Sequence, residues 1–92
     1  MTKENVMEML KAIDRALVDI MPMAIGFYKI FDDAVVLDGI FYSVVRELRH
    51  HREKYPEAYK AARLLWRKAC IDFEHLEVPP GAYFYYYVTF EE

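Results

Sequence analysis

The chain has 92 residues, 55% of them hydrophobic and 16% aromatic, enough apolar side chain to close one core but too short for two. This composition argues against disorder and against a miniature fold that depends on disulfides or a metal. No uncharged stretch reaches the roughly 18–20 residues of a membrane span, because Lys29, Asp32, Asp33 and Asp38 interrupt the most apolar region.

The net charge of −3 conceals a segregation. Residues 46–68 hold eight basic side chains (Arg46, Arg49, Arg52, Lys54, Lys60, Arg63, Arg67, Lys68) against three acidic ones (Glu47, Glu53, Glu57), a net of +5, so the remainder carries −8. Cys70 is the lone cysteine and cannot form an intramolecular disulfide. The opening MTKENVMEML has neither the basic stretch nor the apolar run of an export signal, so a cytoplasmic location is expected. Uncharged polar residues are reduced to Thr2, Asn5, Ser43 and Thr89, with no glutamine, a bias of the kind that heat selects.

In chain order, Val6, Met9, Leu10, Ile13, Leu17, Ile20 and Met21 recur at spacings of three and four and predict an amphipathic helix. Thr2 is its expected N-cap and Pro22 its end. Residues 24–37 contain two short apolar runs around Asp32-Asp33. Their Phe, Tyr, Ile and Val content favours a hairpin turning at the two aspartates. Leu37, Ile40, Phe41, Val44, Val45 and Leu48 form the next helical stripe, with Asp38 as expected N-cap. Tyr55-Pro56 breaks it and opens a third helix running to about Leu76. The third helix has an inner face of Tyr59, Ala62, Trp66, Ala69, Phe73 and Leu76, and its flank of Lys60, Arg63 and Arg67 is basic. Beyond Val78-Pro79-Pro80-Gly81, the run AYFYYYVTF reads as a strand with Tyr83, Tyr85 and Tyr87 on one face. A strand cannot satisfy its backbone alone, so this one must pair with the hairpin or with a second copy.

Few constellations carry chemistry. Glu47 and His50 have the E-x-x-H spacing of bundled di-iron sites, but no second copy of the motif exists in the chain, and no metal or other cofactor is expected. The three glycines, Gly26, Gly39 and Gly81, are too far apart for a phosphate loop, and Ser43 has no catalytic neighbours. Cys70, beside an apolar stripe, reads as a buried structural thiol.

Arg46 and His51 reproduce the R-x4-H spacing, and in this the chain resembles HEPN-type ribonucleases, helical-bundle dimers whose Arg and His face one another across the dimer cleft. The resemblance covers these few residues only, and Glu47 stands where the family more often has asparagine or aspartate. It implies that His51 would act as general base or acid and that Arg46 would steady the phosphate charge. On a straight helix, residues five apart point about 140° away from each other.

The fold expected is α+β, with three amphipathic helices packed on a small antiparallel sheet made of the 24–37 hairpin and a C-terminal strand over 82–90. The alternative is an all-α bundle with a strand-like tail. The function expected is that of a small non-catalytic interaction or regulatory module, a homodimer joined through Tyr83, Tyr85 and Tyr87, since tyrosine suits interfaces. The first alternative is binding of nucleic acid or an acidic protein through Arg46, Arg49, His50, Lys60, Arg63 and Arg67. The HEPN-like ribonuclease is the second.

Overall fold

The computed structural model describes residues 1–69 and 85–90. Within them, three helices cover one face of a three-stranded antiparallel sheet, an α+β arrangement. The all-α alternative does not hold. The valine and aromatic content of 28–37 and 86–89 favours strands, and those strands bury alternate residues rather than a helical stripe.

Helix α1 spans Lys3–Ile20. Thr2 Oγ1 accepts the amide of Asn5 at 3.2 Å, satisfying a donor that the first turn leaves without a partner. Val6, Leu10, Ile13, Ala16 and Leu17 form its buried stripe. Pro22 stops it and opens a single 3-10 turn, Pro22–Ala24. Gly26 then adopts φ +91°, a conformation costly for any residue with a Cβ, which lets the chain turn into the sheet.

Strands β1 (Tyr28–Ile30) and β2 (Ala34–Leu37) form the expected hairpin, shorter than the 24–37 segment that suggested it because the 3-10 turn and Gly26 take up its first residues. The amide of Phe31 donates to Ala34 O at 2.8 Å, closing a two-residue loop of Asp32 and Asp33. Helix α2 spans Phe41–His50 and starts three residues later than expected. Asp38 is used differently from an N-cap: its Oδ1 accepts the amide of Ile40 at 3.1 Å, and its carbonyl accepts that of Phe41 at 2.9 Å. Its carboxylate thus turns the chain before the helix proper begins. Helix α3, Pro56–Lys68, begins with proline at its first position and closes on Ala69. Residues 70–76 of the longer expected helix, including Cys70, lie outside the described residues.

Strand β3 spans Tyr86–Thr89 and pairs antiparallel with β2, which places β2 in the centre of the sheet. It is shorter than 82–90 at both ends, with Tyr85 and Phe90 flanking the ladder and 82–84 outside the described residues. Val35 and Leu37 of β2, with Tyr86 and Val88 of β3, point inward against the helices. The core is tied together by a run of rings. Phe27 stacks on Phe41 at 5.3 Å, Phe41 lies 5.6 Å from Trp66, and Trp66 lies 5.1 Å from Tyr86. Trp66 is fully buried and touches rings from α2 and β3. Removing it empties the largest side-chain volume in the core. Trp66→Ala is therefore expected to cost about 3–5 kcal/mol in chemical denaturation, a large share of the stability of a domain this size. A loss below about 1 kcal/mol would contradict this packing.

Candidate functional site

The basic residues of 46–68 sit on an αα-hairpin, because α2 and α3 are joined by the short connection 51–55. Tyr42 and Arg49 are two turns apart and share a side of α2, and the Tyr42 ring lies 6.1 Å from Trp66, so this side faces α3. Tyr59, Arg63 and Trp66 share a flank of α3, where Arg63 Nη1 donates to Tyr59 Oη at 3.3 Å. Arg49 and Arg63 therefore border the α2–α3 seam. Arg46 and His50 lie on the exposed outer face of α2, and Lys60 and Arg67 on that of α3. The six expected anion-binding residues are split in this way between a seam and two outward faces. Arg46, Lys60 and Arg67 enter no ion pair among the described residues.

Arg46 and His51 do not converge within one chain. Arg46 is exposed in the middle of α2, whereas His51 is the half-buried C-cap, with Nδ1 2.9 Å from the carbonyl of Glu47. That contact holds the imidazole against its own helix end. Glu47 and His50 share α2, and among the described residues no three potential metal ligands come together.

Two tyrosines that composition gave no reason to single out strap α1 to the rest of the fold. Tyr28 donates to Asp14 Oδ2 at 2.9 Å, and Tyr55 donates to Asp19 Oδ2 at 2.7 Å. Burial, followed by the bond to Asp14, pushes the Tyr28 phenol above its ordinary value of 10.0. The bond to Asp19 is the main cause of the corresponding upward shift at Tyr55. Burial alone raises Tyr86. Beside the second strap, Ala12, Arg15, Ala16, Tyr55 and Ala58 line a shallow open hollow.

The other candidate surface is the sheet. With Val35, Leu37, Tyr86 and Val88 turned inward, the pleat turns Lys29, Val36 and Tyr87 outward in one row across the three strands. Ala34 and Thr89 form the next row. Tyr85 and Tyr87 are 63% and 64% exposed, and Phe31 is 51% exposed beyond the end of β1. Tyr83, the third expected interface tyrosine, lies outside the described residues.

Among the described residues β3 is an edge strand, and the ladder fixes which of its backbone groups face away. The amide of Phe90 donates to Asp33 O at 2.9 Å, so the bonded pairs with β2 fall at Phe90, Val88 and Tyr86. Within β3 the amides and carbonyls of Tyr87 and Thr89 point to the outer edge. Sequence reasoning placed the alternate tyrosines on one face but had no signal for this edge, which depends on β2 being central.

No protein-family model, curated protein or solved structure matches the chain. Among the described residues, no helix is long and apolar enough to cross a membrane.

The tyrosine straps have a pH signature. Tyr28→Phe removes a bond to a carboxylate whose other oxygen, Oδ1, is buried with no hydrogen-bond partner among the described residues, and is expected to cost about 1–3 kcal/mol at neutral pH. Because the folded phenol titrates above 10.0, its contribution is complete below pH 10 and is lost as pH rises through the folded value. Denaturation at pH 7, 9 and 11 should show the gap between wild type and Tyr28→Phe closing at the alkaline end. A gap that widens with pH would contradict the assignment.

Proposed function

We propose that this protein is a small interaction module that self-associates through its C-terminal strand. The observation that carries the reading is the character of β3 as an edge. Residues 85–90 contain no charge and no proline, and two largely exposed tyrosines stand over their outward backbone. Proteins that keep an edge strand solitary protect it with lysine, proline or a bulge. The opposite edge, β1, carries Lys29, and its hairpin loop is a pair of aspartates. Tyrosine brings a large, rigid apolar body with a polar tip, which suits a surface that is wet in the monomer and covered in the complex.

The role is that of a regulatory or scaffolding partner, with no catalytic group assigned. A strand pairing of this length lies at the small end of specific interfaces, so the dimer is expected in the micromolar range. Sedimentation of the full chain should show a reversible monomer–dimer equilibrium. Tyr87→Lys, which places a charge on the edge while leaving the inward Tyr86 and Val88 untouched, should weaken it at least about tenfold. Arg46→Glu, on the far helical face, should leave it unchanged. A chain that remains monomeric at several hundred micromolar, or a Tyr87→Lys variant that associates like wild type, would overturn the reading.

A second reading is favoured by the exposed cations of the αα-hairpin. Arg46, His50, Lys60 and Arg67 lie on solvent-facing sides of α2 and α3, and the first, third and fourth are without ion pairs among the described residues. Such a surface suits a polyanion, nucleic acid or acidic protein. Binding to a mixed-sequence RNA or DNA probe should fall steeply with salt, and Lys60→Glu with Arg67→Glu should abolish the gel shift without unfolding the protein. Absent or salt-insensitive binding removes this reading.

A further inference from the structure

The cations of the αα-hairpin are arranged more narrowly than a general attraction for anions requires. We propose that the hairpin docks on the phosphate backbone of a nucleic-acid double helix, without reading base sequence. The inference rests on the second reading above and goes further in separating a duplex from a single strand and from an acidic protein.

At about 100° per residue, Arg49, Arg46 and His50 follow one another around α2 within an arc of about 100°, and Arg63, Arg67 and Lys60 around α3 within about 60°. Arg49 and Arg63 stand at the seam end of their arcs, so the two arcs adjoin there. The acidic residues of the helices fall past the far ends, Glu47 about 60° beyond His50 and Glu57 about 60° beyond Lys60. Glu57 lines the hollow beside Ala12 and Arg15 of α1. Every exposed residue of α2 is basic, and so is every exposed residue of α3 after its first turn.

What this face lacks decides among the anions. An acidic protein partner is held by apolar and aromatic anchors at the centre of its interface, and the arcs expose none. A single strand is held by bases stacking on aromatic rings. The two tyrosines nearest the arcs are half-buried and used within the fold: the Tyr42 ring lies against Trp66, and Tyr59 Oη accepts from Arg63. A duplex meets a purely cationic face best, since its two strands together present one charge per about 1.7 Å of axis, twice the density of either alone.

Width excludes the grooves. Two helices packed about 8–10 Å apart, each about 10 Å across, make a face of about 20 Å, whereas the major groove is about 12 Å wide. The hairpin therefore lies across the phosphates, and base edges stay out of its reach.

The full chain is titrated by fluorescence anisotropy against a short DNA duplex, an RNA duplex of the same sequence, their separate strands, a DNA duplex of scrambled sequence, and polyglutamate. A duplex should bind at least about tenfold more tightly than the strands or polyglutamate, with less than about a twofold difference between sequences. The slope of log affinity against log salt for the DNA duplex should be about −3 to −4.5, at about −0.9 for each of three to five phosphates. Lys60→Ala and Arg67→Ala should each make it shallower by about 0.9, with circular dichroism confirming the fold. Lys11→Ala, the same loss of charge on α1, should leave it unchanged. Either duplex alone behaving in this way supports the proposal and names the source of the phosphates. Tighter binding of a strand or of polyglutamate, weakened by the same two substitutions, would overturn the duplex assignment and leave the second reading standing. No salt-dependent binding of any probe would overturn both.

Discussion

Trp66 touches rings from two other elements of the fold, Phe41 on α2 and Tyr86 on β3, and Phe41 in turn stacks on Phe27 at the entry to β1. This run of rings determines what the last strand does. Burying Tyr86 against Trp66 fixes the pleat of β3, since side chains alternate strictly between faces. Val88 must follow inward, and Tyr85, Tyr87 and Thr89 must face out. A slip of one residue would drive Tyr85 and Tyr87 into the helices and expose Tyr86 and Val88. The packing that secures the core therefore also determines the surface the protein offers.

The molecule presents two contrasting surfaces as a result. The αα-hairpin carries the excess of positive charge, held in place by short helices whose buried faces are alanine, leucine and valine around Phe41 and Trp66. The sheet's outer face is aromatic and nearly uncharged on its β3 side. Between them, α1 is tied down by two tyrosine–aspartate bonds, one to the hairpin and one to the α2–α3 connection. These straps use Asp14 and Asp19 of α1 as acceptors, so part of the negative charge of the N-terminal region also serves the fold.

Much of the architecture was legible because burial imposes a period. The stripe from Val6 to Leu17 could only be a helix, and Thr2 and Pro22 bounded it as expected. The hairpin was legible from β-branched and aromatic residues around Asp32-Asp33. Asp38 misled because a carboxylate before a helix can cap it or turn the chain ahead of it, and residue type does not separate the two. The basic residues were legible as a cluster along the chain, but their division between the α2–α3 seam and the outer faces depends on helix phase and on which flank Tyr42 and Trp66 occupy. The Tyr28–Asp14 and Tyr55–Asp19 bonds join positions 14 and 36 residues apart, beyond the reach of any local pattern. The tyrosine strand was readable as a strand needing a partner. That it lies at an edge among the described residues, with β2 on one side, required the fold.

The central claim is that the outward backbone of β3 is occupied by a second copy of the chain. Amide hydrogen exchange reads it residue by residue, since the amides of Tyr87 and Val88 point to opposite sides of the same strand. Val88 bonds to β2 and should be protected at every protein concentration. The account predicts that Tyr87 is protected in concentrated solution and exchanges progressively faster on dilution, as the dimer dissociates. A Tyr87 amide that exchanges at the rate of an open chain at all concentrations, beside a protected Val88, would contradict it.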